Sequence, residues 1–302
     1  MKTVVICGAT ATGKTDLAVE IAKMQGGEVI SADCMLVYRG LDIGTAKPTE
    51  EEKCGVAHHM IDVVSPFENY SVGDYEKAAL PILEKLVNEG KVPVICGGTG
   101  FYIQSLLFKR GNGNVASDAD IRKKYELIEK EQGREFLHSM LEKVDPESAE
   151  KLHFNDVKRV VRALEIYELT GRKKSEQDDG FSPRRDYAAF AFDFPREVLY
   201  ERIERRVDKM LEDGLVEEVE NLYRSGVDEK CQSMQGIGYK EVLDYLKNRV
   251  SYSTMSDIIK QNTRNYAKRQ ITFFKKLPGL VWLDPFADRK EIISQIMRKC
   301  EI

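Results

Sequence analysis

Eight residues near the start of the chain, Gly8-Ala9-Thr10-Ala11-Thr12-Gly13-Lys14-Thr15, have the types and spacing to hold phosphate. In the pattern Gly-x4-Gly-Lys-Thr the glycines let successive backbone N–H groups curl round a diphosphate at a helix N-terminus. Lys14 neutralises its oxygens, and the Thr15 hydroxyl can hold Mg2+ directly or through water. Such a P-loop names the anion and not the reaction. Asp33 follows just past a second β-like run, where a carboxylate can serve as general base or as an outer-shell group for magnesium. Its position suits a turn or helix-cap aspartate equally well. Gly97-Gly98-Thr99-Gly100 is a second glycine loop, at which backbone can approach a ligand and Thr99 offers a hydroxyl, although glycines also make simple turns. Arg202, Arg205 and Arg206 precede Met210 on a helical stretch. An arginine there can fold over the anion and stabilise leaving-group charge, and position does not choose among the three.

Other groups point to structure first. His58-His59 invites a metal reading, but adjacent side chains diverge on a strand or a helix and no third ligand is near in sequence, so a structural role is expected for both. Ser71-Val72-Gly73-Asp74 reads as a helix N-cap with an acidic residue three positions on. Gly236-Ile237-Gly238 follows no clear strand and lacks a third glycine, so no cofactor role is assigned to it. Lys158, Arg159 and Arg162 are spaced to share one exposed helix flank, with Val157, Val160, Val161 and Leu164 buried. That flank can grip a phosphate backbone or simply be solvated, Glu165 and Glu168 diluting its charge.

The elements that must position these groups follow from periodicity. A β-branched run over 2–7 leads through the P-loop into a helix whose Leu17, Ile21 and Met24 recur at helical spacing. Further runs from Glu28 to Ser31 and from Val92 to Cys96 also end in loops, with a helical segment from Asp74 to Asn88 between them. Strand-loop-helix units of this kind predict a mostly parallel sheet with helices on both faces and ligands at the carboxyl ends of the strands. From Gly111-Asn112-Gly113-Asn114 strand signals vanish. The stretch from Asp118 to Leu169 is charged and helical, broken near Gly133 and Pro146, and closes at Thr170-Gly171 before a polar tract containing Gly180 and Pro183. A strand returns from Tyr187 to Phe194. After Pro195 one long helix is predicted, with Ile203, Val207, Met210, Leu211, Val219 and Leu222 on its buried face. The expected architecture is an α/β P-loop core, residues 1–111 and 187–302, carrying a helical insertion domain over 112–186.

Composition sets the outer limits. With 302 residues, 42% hydrophobic and 32% charged, the chain is globular in character rather than disordered or fibrous. Its six cysteines are scattered singly, which indicates neither a disulfide framework nor a zinc finger and makes a reducing cytoplasm the expected location. No stretch approaches the roughly 18 apolar residues of a membrane helix, and no membrane partner is expected. The balance of 46 basic to 50 acidic residues, a net charge of −4, argues mildly against a polyanion partner, so any nucleic-acid surface must be local.

Several stretches taken together resemble the bacterial tRNA dimethylallyltransferase family. They are Gly8 through Thr15, Ser31-Ala32-Asp33, Val37-Tyr38-Arg39-Gly40, Asp42-Ile43-Gly44-Thr45-Ala46-Lys47-Pro48, His58-His59-Met60-Ile61-Asp62, Tyr70-Ser71-Val72 and Gly97 through Tyr102. Further on come Asn155 through Glu165, Gly236-Ile237-Gly238-Tyr239-Lys240-Glu241, and Thr263 through Gln270. The resemblance implies transfer of a dimethylallyl group from dimethylallyl diphosphate to the exocyclic amine of the adenine just 3′ of a tRNA anticodon. The P-loop would then hold a prenyl diphosphate and not ATP, with Mg2+ at Thr15. It also implies Asp33 as base, Thr99 as its hydrogen-bonding companion and Arg206 on the leaving group. Asp33, Cys34, Met35, Leu36, Thr99, Lys158, Arg159 and Arg162 would meet the tRNA, and a monomer is the expected state. Cys34 and Leu36 stand where the family commonly has serine and glutamine, and Lys173 stands where it usually has proline.

Rival readings are a P-loop small-molecule kinase using ATP, an RNA-binding module without catalysis, which has no need of Asp33, and prenylation of a free adenine nucleotide, which leaves the insert without a task.

Overall fold

The computed structural model describes residues 2–109, 118–176 and 182–300. The chain divides into two compact units, Met1–Leu107 with Arg184–Ile302, and Phe108–Pro183. The tract 111–114, Gly180 and the expected boundary at 111/112 lie outside the described residues.

The larger unit opens with β1 (Thr3–Cys7), α1 (Lys14–Met24), β2 (Glu28–Ser31), α2 (Glu50–Lys53), β3 (His58–His59), α3 (Val72–Asn88), β4 (Pro93–Gly97) and α4 (Gly100–Leu107). The smaller unit holds β5 (Phe108–Lys109), α5 (Ala119–Gln132), α6 (Arg134–Val144), α7 (Pro146–Lys151), α8 (Val157–Thr170) and β6 (Ser182–Pro183). The larger unit resumes with β7 (Tyr187–Phe192), α9 (Arg196–Glu212), α10 (Leu215–Arg224), a 3-10 turn (Gln232–Gln235), α11 (Tyr239–Leu246), α12 (Tyr252–Phe274), β8 (Leu280–Leu283) and α13 (Arg289–Cys300).

Six strands of the larger unit form one sheet in the order β3-β2-β4-β1-β7-β8, every pairing parallel. β1 lies centrally and is wholly buried, as a strand covered on both faces requires. Val4, Ile6, Val29, Val94 and Phe190 pack with Leu17 and Ile21 of α1 and Ile292 and Ile296 of α13. Val5, Ile30 and Ile95, alternating with them, are also buried, where α3 and α4 pack on β2 and β4. Ser71 caps α3 in a reciprocal box with Asp74, as its spacing predicts. The carboxyl ends of β1, β2 and β4 thus deliver the P-loop, Asp33 and the Gly97–Gly100 loop to one edge of the sheet.

The single long helix expected after Pro195 is two. Gly214, at φ 104°, breaks it and starts α10. Leu215 and Val219 still reach the core, whereas Leu211 and Leu222 are only half-buried.

In the smaller unit α5, α6, α7 and α8 enclose their own core, built on Tyr125, Leu137, Leu141, Val160, Val161 and Leu164. Breaks fall at Gly133 and at the Asp145-Pro146 start of α7. The two-residue strands β5 and β6 pair antiparallel, an element that sequence periodicity does not show. Among the described residues no helix is long and apolar enough to cross a membrane.

Candidate active site

The P-loop leaves β1 at Gly8 and enters α1 through Gly13, whose φ of 79° lies in the left-handed region that glycine tolerates. Ala11, at φ 63°, adopts it without that freedom, a conformation typical of functional loops. The Lys14 ammonium donates to the Ala9 carbonyl of its own loop, and Thr12 Oγ1 donates to the same oxygen at 2.9 Å. Burial lowers the Lys14 ammonium to about 8, a shift that Cys96 and Asp33 oppose and Arg206 reinforces.

α12 ties this loop to the second glycine loop through one side chain. Gln270 Oε1 accepts from the Thr10 N–H at 2.9 Å, and its Nε2 donates to the Gly98 carbonyl at 3.0 Å. A Cβ on Gly98 would lie 2.1 Å from that Nε2, so the close approach depends on glycine.

Asp33 is both a turn residue and a cavity residue. Its Oδ1 accepts from the Met35 N–H at 2.9 Å, an Asx turn, and the residue lines the cleft beside Lys14. Thr99 Oγ1 accepts from the Cys34 N–H at 3.0 Å, and the Thr99 N–H donates to the Ala32 carbonyl at 3.0 Å, locking the two loops together. The Tyr266 phenol sits beside Thr99. Burial, with Asp33 and Cys34 adding to it, pushes it well up, so it stays protonated.

The three candidate arginines differ in their contacts. Arg202 donates from Nε to the Ala11 carbonyl at 2.7 Å and lies 5.0 Å over the Phe194 ring, and Arg205 is exposed and paired with Glu201 at 3.2 Å. Arg206 is half-buried, with Nη2 3.4 Å from the Thr45 carbonyl. Burial lowers its guanidinium while Asp33 holds it up.

Three adjoining cavities share these groups. One of about 100 Å³ lies against Lys14, Thr15, Asp33, Leu36 and Gln270. Another of about 370 Å³ lies outside the P-loop, bordered by Thr12 through Asp16 and by Arg202, Arg205 and Arg206. The third, about 380 Å³, has an apolar wall of Met35, Val207, Met210, Leu215, Ile237 and Ile259 beside Asp33, Cys34 and Tyr266. Arg206 borders all three.

His59 pairs with Glu28 at 2.6 Å on the outer strand of the sheet, and His58 Nδ1 lies 2.9 Å from the Val56 carbonyl, its imidazole lowered by burial. Among the described residues no cluster of three or more His, Cys, Asp or Glu side chains can hold a metal ion. Gly238 starts α11 at φ 97°, and Gly236 and Ile237 border the apolar cavity.

In the smaller unit Lys158 and Arg159 are exposed, Arg159 pairing with Asp156 at 3.1 Å. Arg162, expected on the same exposed flank, is half-buried. Its Nη1 lies 2.5 Å from Oε2 of Glu165, a fully buried carboxylate that Arg122 Nε meets at 2.9 Å from the other side.

Gln270, Tyr266, Thr45 and Glu218 were not singled out from the sequence by their chemistry. Gln270 left one trace, a polar residue on the buried stripe of α12 between Ala267 and Phe274.

Two family models match, IPP transferase over residues 36–277 and isopentenyl transferase over residues 1–65. A tRNA dimethylallyltransferase of Acetivibrio thermocellus is 46% identical over 297 residues, covering 97% of this chain and 95% of the relative. This chain belongs to the tRNA dimethylallyltransferase family. A relative of the same description from Bacillus cereus is 44% identical over 99% of this chain and 94% of its own. Among solved structures, the full-length tRNA isopentenylpyrophosphate transferase of Bacillus halodurans aligns with a TM-score of 0.75 at 41% identity, covering 99% of this chain and 95% of the other. A eukaryotic dimethylallyltransferase described as acting on tRNA aligns at 0.80 and 32% identity, over 99% of this chain and 76% of the other.

Proposed function

We propose that the chain transfers the dimethylallyl group of dimethylallyl diphosphate to the exocyclic amine of the adenine 3′-adjacent to a tRNA anticodon. The observation that carries this reading is the juxtaposition at Arg206: an anion-binding loop, a carboxylate and an apolar chamber open onto one guanidinium. A hydrocarbon donor suits the wall of Val207, Met210, Leu215 and Ile259, which gives a kinase acceptor little to bind.

The P-loop N–H groups and Lys14 hold the diphosphate, and Arg206 faces the bond that breaks. The adenine, taken out of its stack, brings its amine to the prenyl carbon beside Asp33 and Thr99. The nitrogen lone pair forms the C–N bond, the C–O electron pair leaves with the diphosphate, and Asp33 takes the amine proton. Tyr266 and the Asx turn hold Thr99 and Asp33 in place. Thr15, with Asp33 through water, would hold Mg2+ together with the diphosphate. A hydroxyl and one carboxylate suit that ion, which keeps most of its waters and binds through phosphate oxygens. Its bound charge would help the diphosphate depart. Cys34, Met35 and Leu36 line the approach of the base, and Lys158 and Arg159 on the insert meet the tRNA backbone. The enzyme works as a monomer in the cytoplasm.

The test is incubation with dimethylallyl diphosphate, Mg2+ and unmodified tRNA, followed by nucleoside mass analysis, with a prenylated adenosine as the expected product. Asp33→Asn should cut turnover by roughly 10²–10⁴, the worth of a general base, with tRNA affinity changed only slightly. Phosphoryl transfer from labelled ATP without a prenylated product would overturn the reading in favour of a kinase.

A further inference from the structure

The segment Asp42-Ile43-Gly44-Thr45-Ala46-Lys47-Pro48 has no regular structure, yet it walls the site: Thr45 and Ala46 border the cleft that holds Lys14 and Asp33. What fixes it comes from α10. Glu218 Oε2 accepts from the N–H groups of Asp42 at 2.9 Å and Ile43 at 2.7 Å. Its Oε1 accepts from the Gly44 N–H at 3.1 Å and from the Tyr239 hydroxyl at 2.6 Å. Three consecutive backbone N–H groups converging on one carboxylate form an anion nest, and here the anion is a side chain of the protein. Tyr239 is fully buried, and a Cβ on Gly44 would lie 2.6 Å from its ring, so segment and phenol are closely fitted. The next residue, Thr45, presents its carbonyl to Arg206 Nη2 at 3.4 Å.

We propose that Glu218 is a positioning residue that, through the Asp42–Thr45 turn, aims the Arg206 guanidinium at the diphosphate. This rests on the reading of the P-loop as a diphosphate site. Three of the four groups facing Glu218 are backbone N–H donors that cannot accept, so a glutamine sets its NH2 against the Asp42 and Ile43 N–H groups in one orientation and against the Gly44 N–H in the other, where only the Tyr239 hydroxyl can turn to accept. The turn then shifts, and with it the carbonyl that orients Arg206.

Inorganic diphosphate with Mg2+ serves as the probe, its affinity measured by calorimetry on the wild type, Glu218→Gln, Arg206→Ala and the double variant. Each protein is held at a temperature where circular dichroism shows it folded. Both single variants should weaken binding by about tenfold or more, the scale of one misplaced charged contact. The double variant should bind no more weakly than Arg206→Ala, because Glu218 acts through that arginine. Should Glu218→Gln not fold, Glu218→Asp, which keeps the charge but is one methylene too short to meet all four donors, is read the same way. Wild-type affinity in the Glu218 variant, or losses that multiply in the double variant, would overturn the proposal. Absence of diphosphate binding by the wild type would instead sink the reading of the P-loop itself.

Discussion

Lys14 sits where burial has lowered its ammonium to about 8, turned back onto the Ala9 carbonyl of its own loop. A diphosphate arriving there favours the protonated form. Between about 8 and the ordinary lysine value the free folded protein has lost this proton while the unfolded chain keeps it, so stability gains with pH over that window. Ligand affinity runs the other way. Above about 8 the diphosphate must bind together with a proton, and its affinity should fall by up to about tenfold per pH unit. Calorimetric titration from neutral to alkaline pH checks this against Lys14→Met, in which the extra slope should vanish and only the ligand's own ionisation remain. At this scale the Gly8–Thr15 loop between β1 and α1 was legible, because it is a local pattern set by spacing along the chain. Choosing Arg206 over Arg202 and Arg205 was not legible from position. The contacts that distinguish them, Arg202 with Ala11 and Phe194, Arg205 with Glu201 and Arg206 with Thr45, appear only in the fold. Glu218 gave no signal, since a glutamate near the start of a helix is commonplace and its four donors lie in two distant segments.

The elements divide along the same line. β1, β2, β4 and β7 were readable as short apolar runs and α3 by its cap. β8 was missed although Leu280-Val281-Trp282-Leu283 is itself a short apolar run: four residues give no periodicity that tells a strand from the end of a helix, and the strand lies at the sheet edge, mostly half-buried. The helix expected past Pro195 was read through Gly214 because the apolar spacing continues across the break, while the left-handed glycine ends the hydrogen-bond ladder. α12 does most to join distant parts of the site, and it does so through Gln270. Glu at this position would still accept from the Thr10 N–H but would set a carboxylate oxygen against the Gly98 carbonyl, where an amide now donates at 3.0 Å. Gln270→Glu should therefore cost about 1–3 kcal/mol in urea denaturation, the penalty of a buried group left unpaired. It should also raise the KM for the prenyl donor, because the two glycine loops separate. Wild-type stability together with an unchanged KM would show that Thr10 and Gly98 hold their places without the bridge.

At the scale of the whole molecule the question is how a chain of net charge −4 binds RNA. Its helical insert was legible from periodicity and from the breaks at Gly133 and Pro146, but the basic triad on α8 does not act as one unit. Arg162 is half-buried, and it and Arg122 compensate the buried carboxylate of Glu165. Removing all three basic residues at once would mix two effects. Arg162→Ala alone should destabilise the insert by about 1–3 kcal/mol through the partly uncompensated carboxylate, seen in urea denaturation. Lys158 and Arg159 are exposed, and Arg159 pairs at the surface with Asp156, an ion pair that gives way easily to phosphate. The double variant Lys158→Ala/Arg159→Ala should leave stability within about 0.5 kcal/mol of wild type. It should flatten the dependence of log affinity for tRNA on log salt by about 0.7–0.9 for each phosphate no longer neutralised. Donor affinity should not move, since the groups proposed to hold the diphosphate all lie in the larger unit. An unaltered salt slope at wild-type stability would make this flank a solvated helix face and shift the search for the RNA surface to Lys268 and Arg269 on α12.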